Sequence, residues 1–140
     1  MLQRSPRNLH PVLSWFMAAS ILSTVVLRTA GVPTVDLHGP LHRFGIMDPF
    51  CGGTRATFLL ASGDFAAAAE YNPVVFPLAL GLAALTLRVV LGVTAGIWYD
   101  VRLPRQMRWP LFAAFVVALV LLGIRQQMHA ALLVQPWTGG

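Results

Sequence analysis

The sequence predicts an all-α membrane protein: three transmembrane helices, with a membrane-associated helical hairpin between the first and second. Three observations predict it. The 140 residues are 56% hydrophobic and 11% charged, with mean hydropathy +0.68, whereas soluble domains carry about 25% charged residues. Three long apolar stretches recur along the chain, separated by connections rich in Arg, Pro and Gly. The longest connection also contains helix start and stop signals of its own. The length suits one compact unit, so residues 1–140 read as a single integral membrane domain.

The first span, about residues 12–30, follows Arg4, Arg7 and His10 and is closed by Arg28. A basic start and small residues near the end also fit a secretory signal peptide. The apolar stretch is longer than the usual signal core of about 7–15 residues, so a retained anchor is expected. The second span, about 73–98, opens on Asn72, a good helix N-cap, and Pro73, which suits the first helical position. Arg88 interrupts it and is expected to snorkel near one interface, with Trp98 and Tyr99 as an aromatic anchor. The third span, about 109–130, carries Pro110 in its expected first turn, where a missing N–H costs least. Gln126, Gln127 and His129 make its end polar, which places Arg125 near an interface.

All ten basic residues are arginines, the net charge is +5 and the pI is about 11.1. The arginines are scattered rather than gathered in a stripe, so no nucleic-acid partner is expected. Three crossings put the N-terminus and the Asp100–Arg108 loop on one side. That side holds five arginines against four on the other (Arg28, Arg43, Arg55 and Arg125), leaving Arg88 within a span. Short loops dominate the positive-inside rule. The N-terminus is therefore expected to be cytoplasmic in a multi-pass protein of a bacterial inner membrane, with Cys51 on the far side.

Between the first two spans, Pro33, Gly39, Pro40, Gly45 and Pro49 mark turns. Thr54 is expected to cap a short helix through Leu60 that ends at Gly63, and Asp64 to cap a second running to Tyr71. These make the hairpin, about residues 48–72. At its head stands Asp48-Pro49-Phe50-Cys51-Gly52-Gly53-Thr54-Arg55-Ala56, which contains the only cysteine in the chain.

The residues admit several readings of this segment. In the structural reading, Asp48 accepts loop N–H groups, Cys51 packs as a small residue, and Gly52 and Gly53 permit close helix approach. A metal reading uses His38, His42, Asp48 and Cys51, ligand types that zinc accepts, with the two-residue spacing of a knuckle. A thiol reading makes Cys51 reactive; with one cysteine, exchange needs a thiol from another molecule. An anion reading uses the helix opening and Arg55, although Arg55 paired with a carboxylate such as Asp64 is preferred. The structural reading is the expectation. No cofactor is expected, and zinc is the one that the ligand types admit.

Cys51-Gly52-Gly53-Thr54-Arg55-Ala56, Leu60, Gly63-Asp64 and Asn72-Pro73 resemble the signature of a small bacterial membrane-protein family catalogued as domain of unknown function 2752. Gly123-Ile124-Arg125-Gln126 resembles the ending of that pattern, so the resemblance spans about residues 36–126. It implies an integral membrane protein of two to three helices and no established activity. The family pattern often reads Cys-Pro-x-Cys-Gly-x-Thr-Arg-Ala; here Asp48 stands at the first cysteine, and His38 falls near an upstream one.

Two function classes follow. One is a non-enzymatic membrane subunit, assembly factor or adaptor whose partner is another membrane protein or a second copy. It is favoured by small size and by the lack of a catalytic triad, paired carboxylates or a nucleotide motif. The other is a metal- or thiol-dependent membrane enzyme or redox factor centred on Asp48 and Cys51.

Overall fold

A computed structural model describes residues 2–32, 44–101, 103–135 and 137. The described chain is mostly helical. Three helices are long and apolar enough to cross a membrane: α1 (Pro11–Ala30), α4 (Val75–Ala95) and α5 (Arg105–Met128). Between α1 and α4 lie α2 (Gly53–Ala61) and α3 (Phe65–Tyr71), the hairpin pair, and a short α6 (Ala130–Leu133) follows α5. Two strands, β1 (Leu2–Ser5) and β2 (Trp98–Val101), form an antiparallel ribbon.

Helix α1 starts with Pro11 in its first turn, as a proline without an N–H can. Its less exposed positions are Ser14, Met17, Ser20, Thr24 and Leu27, a helical stripe facing α4. Small hydroxylated residues on such a stripe let helix backbones approach closely in an apolar environment. On α4 the matching stripe is Val75, Ala79, Leu82, Thr86 and Val89, at alternating spacings of four and three. Thr24 and Thr86 return their hydroxyls to carbonyls one turn back, so neither leaves a polar group unpaired.

Helix α4 ends three residues before the expected limit. Gly96 adopts φ +64 there and its N–H closes on the Leu91 carbonyl. Trp98 and Tyr99 therefore belong to β2 instead of the span. An isolated two-stranded ribbon is marginal in water; this one is fastened to α4 by Arg88. The Arg88 guanidinium donates to the Tyr99 carbonyl (2.8 Å), the Asp100 carboxylate (2.8 Å) and Asn8 Oδ1 (3.2 Å), and lies over the Trp98 ring at 5.1 Å. Arg88 and Asp100 are both buried, so the arginine is ion-paired inside the protein rather than snorkelling. Gly92 is required beneath the ribbon, because a Cβ there would overlap the Trp98 indole.

The ribbon joins the N-terminal strand to the segment between α4 and α5. Both lie at the end where α1 and α5 begin and α4 finishes, as three successive crossings require. Helix α5 starts four residues earlier than the sequence reading placed it, so Pro110 lies inside the helix and not in its first turn. The Gln106 carbonyl consequently lacks its usual i+4 donor.

Candidate functional site

The signature residues gather at the opposite end, where the hairpin meets the last turn of α5. The approach to the hairpin is a tight turn. Asp48 Oδ1 accepts the Phe50 N–H at 2.8 Å, and the Asp48 carbonyl accepts the Cys51 N–H at 3.1 Å. Gly52 then takes φ +77, a conformation L side chains rarely adopt. A Cβ there would also stand 2.6 Å from Leu133 Cδ2 and 3.2 Å from the Tyr71 carbonyl. Cys51, Met47 and Leu133 form a buried cluster, with Cys51 Sγ 3.6 Å from Met47 Sδ.

Helix α2 begins at Gly53, with Gly52 as its N-cap and no side-chain cap. Thr54 is thus an exposed first-turn residue and not the expected cap, because the left-handed Gly52 has already turned the chain into the helix. Gly63, at φ +87, makes the corner between α2 and α3. Asp64 caps α3 by accepting the Ala67 N–H at 3.0 Å. Ala56 and Ala68, both fully buried, bring the two helices together over Val75.

The C-terminus of α3 leaves four carbonyls without helical donors. Each finds a partner. Ala68 receives the Asn72 N–H at 3.0 Å. Ala69 and Glu70 receive Arg125 Nη2 at 2.9 and 3.2 Å, placing a cation at the negative end of the helix. Tyr71 receives Gln126 Nε2 at 3.0 Å. That same nitrogen donates to the Cys51 carbonyl at 2.6 Å, and Arg125 Nη1 holds the Gln126 amide oxygen at 3.1 Å. Gln127 fastens the preceding loop, accepting the Met47 N–H at 2.9 Å and donating to the Gly45 carbonyl at 3.1 Å. Successive helix residues point about 100° apart, so three neighbours on α5 reach three separate stretches of chain.

Asn72 completes the clasp. Its Nδ2 donates to the Pro49 and Cys51 carbonyls, both at 3.0 Å, and its Oδ1 accepts the Val74 N–H at 3.0 Å. Pro73 and Val74 form a turn, and regular helix starts at Val75 rather than at Pro73. Asn72 and Gln126 are both fully buried. Buried amides cost free energy unless bonded, and these reach backbone oxygens from both sides.

Arg55 differs from expectation. Its Nη1 donates to the Leu133 carbonyl at 3.2 Å, and the guanidinium lies over the Tyr71 and Trp137 rings at 5.8 and 5.7 Å. Among the described residues no carboxylate is within ion-pair distance of it, and Asp64 is engaged as the α3 cap. His38 and His42 lie outside the described residues. Among those described, no group of three or more His, Cys, Asp or Glu converges. Beside the turn, a cleft of about 430 Å³ opens between α1, α2 and α4, with Ser23, Thr24, Thr54 and Thr57 set among apolar side chains.

Gln126 and Gln127 carry as much of the clasp as the signature residues do. In sequence Gln127 shows only as a polar residue ending an apolar span, and Gln126 only as the last residue of the Gly123-Ile124-Arg125-Gln126 ending. Their partners are main-chain carbonyls and N–H groups, which no residue type advertises.

Residues 40–86 match the model of the family described as Protein of unknown function (DUF2752). The match takes in Cys51–Ala56, Gly63-Asp64 and Asn72-Pro73; it stops short of the wider extent read from the sequence and leaves out Arg125. Neither the curated proteins nor the solved structures contain a match.

Proposed function

We propose that the protein is a non-enzymatic component of a membrane assembly, a subunit or adaptor of a bacterial inner membrane with its N-terminus cytoplasmic. The observation that carries this reading is the one-sided attachment of α5. Its last turn is bound to the hairpin through Arg125, Gln126 and Gln127, and Gly123 lies against Pro49. From Arg105 to Ala118 every residue is exposed. The clasp thus holds one end of an apolar helix while leaving its long face open to another transmembrane helix. The polar signature residues support the same reading, because Asp48, Asp64, Asn72 and Arg125 are all bonded to the protein's own backbone.

The test is photo-crosslinking in intact cells, with a light-activated residue in place of Phe112, Phe115 or Leu121 in turn. A discrete adduct from one face of α5 is expected. An adduct at twice the chain mass identifies a second copy as the occupant. Absence of any protein adduct from all three positions overturns the reading. Protease access to a tag placed before Leu2, in spheroplasts and in inverted vesicles, tests the orientation.

A further inference from the structure

The two ends of the described fold differ in charge. Among the described residues, the clasp end has three arginines (Arg28, Arg55, Arg125) and three carboxylates (Asp48, Asp64, Glu70), a net charge of zero. Its cations are also occupied: Arg55 and Arg125 bond to carbonyls, and Arg28 lies over the Phe58 ring at 5.8 Å. The ribbon end has five arginines and one carboxylate, a net charge of +4. Asp100 is buried against Arg88. Arg4, Arg7, Arg105 and Arg108 remain, all exposed.

Among the described residues no carboxylate pairs with any of the four. Arg105 and Arg108 occupy the first turn of α5, the positive end of the helix dipole, and no acidic residue offsets them there. Arg4 lies on the ribbon, 6.0 Å from the Tyr99 ring. The β1–β2 register sets Leu2 against Val101. The four residue steps from Val101 to Arg105 span at most about 14 Å, so Arg105 opens α5 close to the ribbon that carries Arg4.

A second observation gives the depth of that end. Trp15 and Trp109 are each the fifth residue of their helices, α1 and α5, and are 76% and 78% exposed. At 1.5 Å per residue both Cα atoms lie about 6 Å inside the helix starts. Exposed tryptophans one turn inside helices that start at the same end mark the interface of a bilayer. The arginines then lie at and just outside the level of the lipid head groups.

We infer that the ribbon end is a binding surface for anionic phospholipid head groups, with Arg4, Arg7, Arg105 and Arg108 as the phosphate-facing cations. The inference stands independently of any protein partner on α5. A basic residue near an anionic surface is worth about 1 kcal/mol, roughly fivefold in affinity.

The experiment reconstitutes the full chain into phosphatidylcholine vesicles containing phosphatidylglycerol and reads tryptophan quenching. The quencher is brominated phosphatidylglycerol in one series and brominated phosphatidylcholine in the other. A severalfold preference for the anionic lipid is expected, shrinking at 0.5 M NaCl as screening requires. R4Q/R7Q/R105Q/R108Q should lose the preference at unchanged helicity, whereas R28Q at the opposite end should keep it. Equal quenching by the two lipids in the parent protein overturns the proposal, a result that needs no variant to fold. Preference retained in the quadruple variant, or lost equally in R28Q, overturns it as well.

Discussion

The ribbon end and the clasp end are fastened by different chemistry. At the ribbon end one buried ion pair, Arg88–Asp100 at 2.8 Å, ties a strand to a helix, and the remaining arginines face outward. At the clasp end the links are amide and guanidinium groups on main-chain carbonyls, spread over Asn72, Arg125, Gln126 and Gln127. A concentrated ionic link fails as a unit, because losing one partner strands the other charge. A distributed set of backbone bonds fails in parts, and each part closes a particular helix end or turn. The comparison also shows two ways of holding an arginine: the buried Arg88 meets a carboxylate, whereas the half-buried Arg125 meets the negative end of a short helix.

The largest expected effect breaks the ionic end. Arg88→Leu leaves the Asp100 carboxylate buried without its cation and should cost roughly 3–5 kcal/mol, read by denaturant unfolding in mixed micelles. Arg88→Leu combined with Asp100→Leu should recover most of that loss. A double variant as unstable as the single would mean that the pair is not the fastening.

Next comes the clasp. Gln126→Leu removes the donor to the Tyr71 carbonyl and one of two donors to the Cys51 carbonyl. The expected loss is about 2 kcal/mol, within the cost of a stranded buried acceptor. Protease sensitivity should rise between residues 45 and 72 while the β1–β2 ribbon stays protected. Equal exposure at both ends would show that the two fastenings are one cooperative unit.

The smallest effect sharpens the contrast inside the hairpin. Asp64→Ala should cost about 1 kcal/mol, the usual worth of an N-cap, whereas Thr54→Ala should change stability by no more than a few tenths. If Thr54→Ala proved the costlier, α2 would be capped by its side chain rather than by the left-handed Gly52.

Much of this was legible without coordinates, for local reasons. The three long helices follow from hydropathy, a property of contiguous residues, and α1 lies within a residue of its expected start. The α2–α3 corner follows from Gly63-Asp64, because a left-handed glycine and a capping aspartate act on their immediate neighbours. Other readings failed where neighbours in space replaced neighbours in sequence. Thr54 looked like a cap and is not one, since Gly52 has already made the turn against Leu133 and Tyr71. Trp98 looked like the end of a span, yet Gly96 releases it into a strand whose partner is residues 2–5.

By itself, then, the sequence determined the long apolar helices, the short hairpin helices and their corner, because hydropathy and capping are decided within a few residues. Only the tertiary structure decided what holds them. Arg88 and Asp100 meet across a helix end, Gln126 finds a carbonyl 75 positions away, and residues 2–5 pair with residues 98–101. The physical reason is that a backbone carbonyl is the same group at every position, so its partner is chosen by where the folded chain delivers it.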